Sequence, residues 1–294
     1  MEPKRLRIGS RESLLAVAQT ELVIGQLKEH YPDLSVELVT MKTTGDKILH
    51  KTLDKIGGKG LFVKELDQAL LDGRIDMAVH SMKDLPMEIS SDLPIAAVPK
   101  RGDPRDVLVL PSEADREARE QVVGSSSPRR VLQAKELFPG AQFQSVRGNI
   151  HTRLNKLDQG QYSALIMAAA GLKRAGLQDR ISRYFSVEEM LPAAGQGTLC
   201  IQVRKDFDRS FFSCIHDRQT ELVTLAERSF VRTLDGGCSS PIAAYGTASG
   251  KDLCLTGLFY DEAEKVYRKQ SIKGSLKDAK ELGRCLAKQM KSKS

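Results

Sequence analysis

Twice along this chain, short apolar runs of strand length alternate with segments of helical period, and this alternation restricts the fold more than any other feature. Leu6 to Gly9 reads as a strand, after which Leu14, Val17, Ala18 and Leu22 share one helical face up to Pro32. Val36 to Met41 is the next strand. Leu61, Phe62, Leu66, Ala69 and Leu70 then mark a helix stopped by Gly73, and Ile75 to Val79 is a third strand. The rhythm restarts near Val107, with strand Val122-Val123, helix Arg129 to Leu137, strand Gln142 to Val146, helix Ile150 to Leu157 and strand Ala164 to Ala169. Two such series predict two doubly wound α/β domains with mostly parallel sheets, joined at the Pro/Gly cluster Pro99 to Pro104.

After about Gln219 the pattern changes. A helix from Glu221 to Leu234 leads into Gly236-Gly237-Cys238, and alternating runs follow at Ala243–Thr247, Leu253–Phe259 and Val266–Ile272. Turn signals stand at Ser249-Gly250 and Asp261-Glu262, and a last helix runs from Leu276 to Met290. This is the pattern of a small α+β domain with an antiparallel sheet. The longest apolar run, Ala164 to Ala170, falls far short of the roughly 20 residues that span a bilayer, so no membrane partner is expected. The charged stretch Met1 to Arg7 carries no secretory or transit pattern, and a cytoplasmic location is the expectation. Cys200, Cys214, Cys238, Cys254 and Cys285 form no C-x-x-C pair and have no histidine at ligand spacing, which argues against both a metal site and a disulfide framework.

The formal charge of +7 raises the question of nucleic acid. Its distribution points elsewhere. In open α/β sheets ligands bind beyond the carboxyl ends of the strands, and all five such ends here carry cations. The segments are Ser10-Arg11, His80-Ser81-Met82-Lys83-Asp84, Ser125-Ser126-Ser127-Pro128-Arg129-Arg130, Arg147-Gly148-Asn149 and Gly171-Leu172-Lys173-Arg174. Ser127 and Pro128 have the form of an N-cap and first helical residue, which would aim free N–H groups at the same ligand. Such a pattern suits a small polyanion. Asp84 is the one acid in this basic company, and there a carboxylate serves better as a stabiliser of positive charge than as a proton reservoir. Taken singly, the cations read as solvated surface charges and Asp84 as a salt-bridge partner. Cys238, behind two glycines at a helix-to-strand turn, is the candidate reactive thiol.

Together these segments resemble the porphobilinogen deaminase family, in that family's order. The matching motifs are Gly57-Gly58-Lys59-Gly60-Leu61-Phe62-Val63-Lys64-Glu65-Leu66, Val79-His80-Ser81-Met82-Lys83-Asp84-Leu85-Pro86, Arg147-Gly148-Asn149 with Thr152-Arg153-Leu154, Ala169-Ala170-Gly171-Leu172-Lys173-Arg174, Leu191-Pro192-Ala193 with Gly195-Gln196-Gly197, and Asp235-Gly236-Gly237-Cys238. The resemblance runs from Arg5 to about Pro241, and more loosely beyond. It implies a transferase of tetrapyrrole biosynthesis that joins four porphobilinogen molecules head to tail, releases ammonia and hydrolyses off hydroxymethylbilane. It also implies a dipyrromethane cofactor held by a thioether at Cys238, with Asp84 as the catalytic residue. Cofactor and substrate carboxylates would be bound by Arg11, Ser13, Ser81, Lys83, Ser125, Ser127, Arg129, Arg130, Arg147, Arg153, Arg174 and Gln196, and Lys55, Gly57, Gly58 and Lys59 would belong to a loop over the cleft. The implied fold is a pair of α/β domains of the periplasmic-binding-protein kind plus the small third domain. The domains would comprise 1–99 with 198–215, 103–194, and 217–294, in a monomer with no nucleic-acid partner. The chain departs from the family's pattern at two places: members commonly carry Leu or a similar residue where Pro128 stands, and often Gln-Val where Ser239-Ser240 stand. A solute-binding module is the rival reading, but it has no use for Cys238.

Overall fold

The structure is a computed structural model and describes residues 5–43, 63–112, 122–236, 241–261 and 265–291. In chain order its strands begin with β1 (Arg5–Arg11), β2 (Ser35–Met41), β3 (Met77–Ser81), β4 (Ile95–Ala97) and β5 (Asp106–Val109). They continue with β6 (Val122–Gly124), β7 (Gln142–Gln144), β8 (Ala164–Ala168), β9 (Arg183–Tyr184) and β10 (Leu199–Val203), and end with β11 (Ile242–Ser249), β12 (Asp252–Asp261) and β13 (Val266–Ser275). The α-helices are α1 (Leu14–His30), α2 (Lys64–Leu71), α3 (Pro128–Leu137), α4 (Ile150–Asp158), α5 (Ala169–Arg174), α6 (Arg218–Thr233) and α7 (Ala279–Lys291). None of the described helices is long and apolar enough to cross a membrane.

The chain forms two compact units, Met1–Arg101 with Thr198–Glu221, and Gly102–Gly197 with Leu222–Ser294. The first holds a sheet in the order β2-β1-β3-β10-β4. Leu6, Ile8, Met77, Val79, Leu199 and Ile201 project from one face onto Val23 and Leu27 of α1. The alternate residue Ala78 faces the other way, onto Leu66, Ala69 and Leu70 of α2. The second unit repeats the plan with the order β7-β6-β8-β5-β9, packing Leu165 and Met167 against Leu154 and Leu157 of α4, and Ala164 and Ile166 against Ala134 of α3.

The expectation of mostly parallel sheets needs correction. β1 runs parallel to β2 and β3, and β6 parallel to β7 and β8, but β10 is antiparallel to β3 and β4, and β5 is antiparallel to β8 and β9. A parallel neighbour needs a crossover, usually a helix, to bring the chain back to its starting end. β10 begins one residue after the chain re-enters the first unit at Thr198, and β5 four residues after it enters the second at Gly102, so neither is preceded by such a turn-round.

The second unit also contains the antiparallel sheet β11-β12-β13, with Gly250 at φ +59° in the turn foreseen at Ser249-Gly250. Its helices pack closely. A Cβ at Gly283 of α7 would lie 2.2 Å from the Ala226 carbonyl oxygen and 2.9 Å from the Phe230 nitrogen, both backbone atoms of α6. Gly283→Ala must therefore push the helices apart and should cost about 1–3 kcal/mol, read as a lowered urea midpoint. An unchanged midpoint would show that the helices do not meet at this residue.

Candidate active site

In both five-stranded sheets the connections leave the two central parallel strands in opposite directions, which makes the β1/β3 and β6/β8 carboxyl ends the switch points where α/β proteins bind ligands. At the first, β1 ends in Arg11 and Ser13 caps α1, accepting the Ala16 N–H at 3.3 Å. β3 ends in Ser81, whose hydroxyl donates to Gln19 Oε1 of α1 at 3.2 Å and so ties the two strand ends together through the helix. Met82–Asp84 follow as a single 3-10 turn, fixed by the Met82 N–H donating to the Thr198 carbonyl at 2.9 Å. The first unit thus gathers Arg11, Ser13, Ser81, Lys83 and Asp84 at one sheet end. Asp84 is half-buried and forms no ion pair among the described residues, so the salt-bridge reading open to any aspartate is not what the structure shows.

His80 was expected beyond the strand with this group, yet it is the fourth residue of β3 and only 5% exposed. Burial pushes its imidazole down to about 4; Gln202 opposes the shift and the charge of Arg11 adds to it. The unfolded chain binds this proton near pH 6.5. Stability contributed by neutral His80 is therefore complete above pH 6.5 and is lost as the pH falls toward 4. Between pH 7 and pH 4 the wild type should lose about 3 kcal/mol more unfolding free energy than His80→Leu, and equal losses would assign the titration to another group.

In the second unit, Ser125 follows β6 and Ser127 caps α3, accepting the Arg130 N–H at 3.5 Å. Ser126 Oγ lies 2.7 Å from Ser145 Oγ and donates to the Val146 carbonyl at 2.6 Å, stitching the ends of β6 and β7. Beyond β7, Gly148 takes φ +111°, and Asn149 caps α4 by accepting the Thr152 N–H at 2.9 Å. Arg153 Nε donates to the Gly148 carbonyl at 2.9 Å, whereas the half-buried Arg147 guanidinium has no carboxylate partner among the described residues.

Asp106, at the start of β5, was not singled out in the sequence, and it organises this end of the unit. Fully buried, its Oδ2 accepts from Arg129 Nη1 at 2.7 Å, and its Oδ1 accepts from Arg130 Nε at 2.9 Å and Gln196 Nε2 at 3.0 Å. Burial alone would raise its carboxyl; Arg129 and Arg130 outweigh that and hold it at about 2. Arg129, Arg130 and Gln196, read from sequence as ligand contacts, are thus first of all partners of Asp106. The cluster still carries two guanidiniums to one carboxylate. Arg174 adds to the imbalance: its Nη2 donates to the Gly197 carbonyl at 2.6 Å, no carboxylate meets it among the described residues, and desolvation pushes it down to about 10. Asp106→Asn should leave the buried arginines uncompensated and lower stability by about 3–5 kcal/mol, measurable by chemical unfolding. A loss below about 1 kcal/mol would place the arginines on other partners.

Family models match most of the chain: "Porphobilinogen deaminase, dipyromethane cofactor binding domain" over residues 6–211, and "Porphobilinogen deaminase, C-terminal domain" over 222–292. The porphobilinogen deaminase of Acetivibrio thermocellus is 54% identical over 286 residues, covering 97% of this chain and 98% of that protein. This chain belongs to the porphobilinogen deaminase family. That of Alkaliphilus oremlandii is 55% identical over 287 residues (98% and 97% covered), and that of Neisseria meningitidis 45% over 295 (99% and 94%). Among solved structures, the periplasmic aliphatic sulphonate binding protein SsuA from Escherichia coli is 16% identical with a TM-score of 0.41, covering 79% of this chain and 71% of its own.

Cys238, expected from the sequence to carry the cofactor, lies outside the described residues, as do Lys55, Gly57, Gly58 and Lys59. The flanks of Cys238 are defined. Asp235 takes φ +55°, the Gly236 N–H donates to the Val231 carbonyl at 3.0 Å, and a Cβ on Gly236 would stand 2.4 Å from Ile242 Cδ1. Gly236 therefore makes room for the first residue of β11.

Proposed function

We propose that this transferase condenses porphobilinogen head to tail with release of ammonia, on a dipyrromethane anchored at Cys238, to give linear hydroxymethylbilane. The observation that carries this reading is the surplus of buried and half-buried cations over carboxylates around Asp106, Arg147 and Arg174. A desolvated cation without a protein counter-ion is stabilised by a ligand anion. Each pyrrole unit bears an acetate and a propionate, and guanidinium forks bind such groups bidentately. The dipyrromethane fits this environment, and when bound it supplies the pyrrole carbon that is extended.

Arg147, Arg153 and Arg174 hold carboxylates directly, beside the N–H groups at the starts of α3 and α4. Arg129 and Arg130 raise the local potential through their excess over Asp106, with Ser125, Ser127 and Gln196 completing the polar wall. In the first unit Arg11, Ser13, Ser81 and Lys83 do the same. Departure of ammonia leaves a cationic carbon, which the Asp84 carboxylate stabilises; Asp84 then accepts the proton displaced from the attacking ring carbon. We place the enzyme in the cytoplasm as a monomer acting on a small molecule, without nucleic-acid or membrane partners, since its site cations are committed to strand ends. We assign the domains as 1–99 with 198–215, 103–194, and 217–294.

The intact wild-type protein should exceed its sequence mass by one dipyrromethane, mapped to the peptide of Cys238, and Cys238→Ala should lose adduct and activity together. Asp84→Asn should keep the wild-type melting temperature and lose at least about 100-fold in turnover. A bare sequence mass in active enzyme, or Asp84→Asn activity within about threefold, would overturn the assignment.

A further inference from the structure

In the second unit the connection Leu191–Gly197 is irregular, yet side chains and backbone from several elements take up its polar groups one by one. The Leu191 N–H donates to Gln133 Oε1 at 2.7 Å, and the Leu191 carbonyl accepts from Arg129 Nη1 at 2.7 Å. The Pro192 carbonyl accepts from the Ala244 N–H at 3.2 Å, and that of Gly197 accepts from the Gly102 N–H at 3.1 Å. Between them, the Gly195 N–H donates to Glu227 Oε2 at 2.7 Å. Glu227 lies on α6, is 0% exposed, and receives the Gly246 N–H of β11 on its other oxygen at 2.8 Å.

Burying a glutamate is costly unless its oxygens are satisfied, and these short bonds to backbone N–H groups supply that compensation. They also fix an otherwise soft turn. Gly195 and Gly197 take φ +71° and +86°, in the left-handed region open chiefly to glycine. The residue between them is Gln196, 1% exposed, whose Nε2 donates to the Pro104 carbonyl at 2.7 Å and to Asp106 Oδ1 at 3.0 Å. The Gly195 N–H joins Glu227 to the turn that carries Gln196.

We propose that Glu227 is a positioning residue for the reaction. By pinning the Gly195 N–H it sets the turn that delivers Gln196 to Asp106, and so sets the arrangement of Arg129 and Arg130 toward substrate carboxylates. The inference rests on the function proposed above. A merely structural Glu227, tying β11 to the connection, would affect stability without touching substrate affinity.

The experiment uses full-length holoenzyme carrying Glu227→Gln, Gln196→Ala, and both. Glu227→Gln keeps the shape but turns an amide NH2 toward one of the two backbone donors. Each single variant should raise KM for porphobilinogen about tenfold, the worth of one such hydrogen bond, with kcat within about threefold. The double variant should be no worse than the poorer single, because both act through one contact. If Glu227→Gln does not fold, Gly195→Ala keeps the carboxylate but strains the turn, and should show the same KM rise and the same non-additivity with Gln196→Ala. An active wild type with unchanged KM in the variants, or additive KM effects, would overturn the role of Glu227 alone. A wild type that does not turn over porphobilinogen would remove the functional reading, and the inference with it.

Discussion

A single buried carboxylate, shared by two arginines and a glutamine, sets the terms for everything else at the business end of the second unit. Asp106 cannot sit dehydrated in the sheet without cations, and Arg129 and Arg130 cannot sit dehydrated on the first turn of α3 without an anion. Their mutual need fixes the helix start against β5. The Ile166 carbonyl accepts Arg130 Nη1 at 3.2 Å, so β8 is drawn into the same bond set. Because the charges do not cancel, the cluster is held together and also remains positive. Rigidity and surplus positive charge here come from the same atoms.

Charge near the domain crossing is arranged differently. Asp103 bridges Arg105, at 2.8 Å, and Lys173, at 2.7 Å, and these partners hold its carboxyl far below the usual range even though burial works to raise it. Arg105 also lies over the Tyr184 ring at 4.3 Å. These partly exposed cations are already paired, so Lys173 does not share the character of its neighbour Arg174. Adjacent cations in the last turn of α5 can thus have different surroundings, and distance to a carboxylate separates them where residue type does not.

The alternation of period 2 and period 3.6 made the elements legible. Ser127, Asn149 and Gly250 do in the structure what their residue types suggest. Strand direction was not legible, because β5 and β10 are apolar runs like any others and only the path of the chain reverses them. Arg174 ends helix α5, but the positions of Arg11, Lys83, Asp84 and Arg147, at or just beyond strand ends, could be read off from charges that follow apolar runs. Asp106 and Glu227 could not. An acid that satisfies buried donors has no local signature: Asp106 stands between Arg105 and Val107, and Glu227 within an ordinary amphipathic helix, and their nearest such partners are 23 and 19 residues away. His80 misled for the complementary reason, since β3 runs two residues past its apolar pattern and buries the first polar side chain there.

β10 lies between β3 and β4, so among the described strands Ile95–Ala97 has no sheet partner until Leu199–Val203 has been made. Leu199, Ile201, Val203, Phe211 and Phe212 are likewise missing from the first core until then. All of β5 to β9 precedes β10 in the sequence and pairs only within itself. During synthesis, β1 to β4 leave the ribosome as parts of a sheet that cannot yet close, while the segment that follows can complete its own five-stranded sheet. The unit encoded first is therefore the one finished later, and its open strand edges would need shielding in the nascent chain.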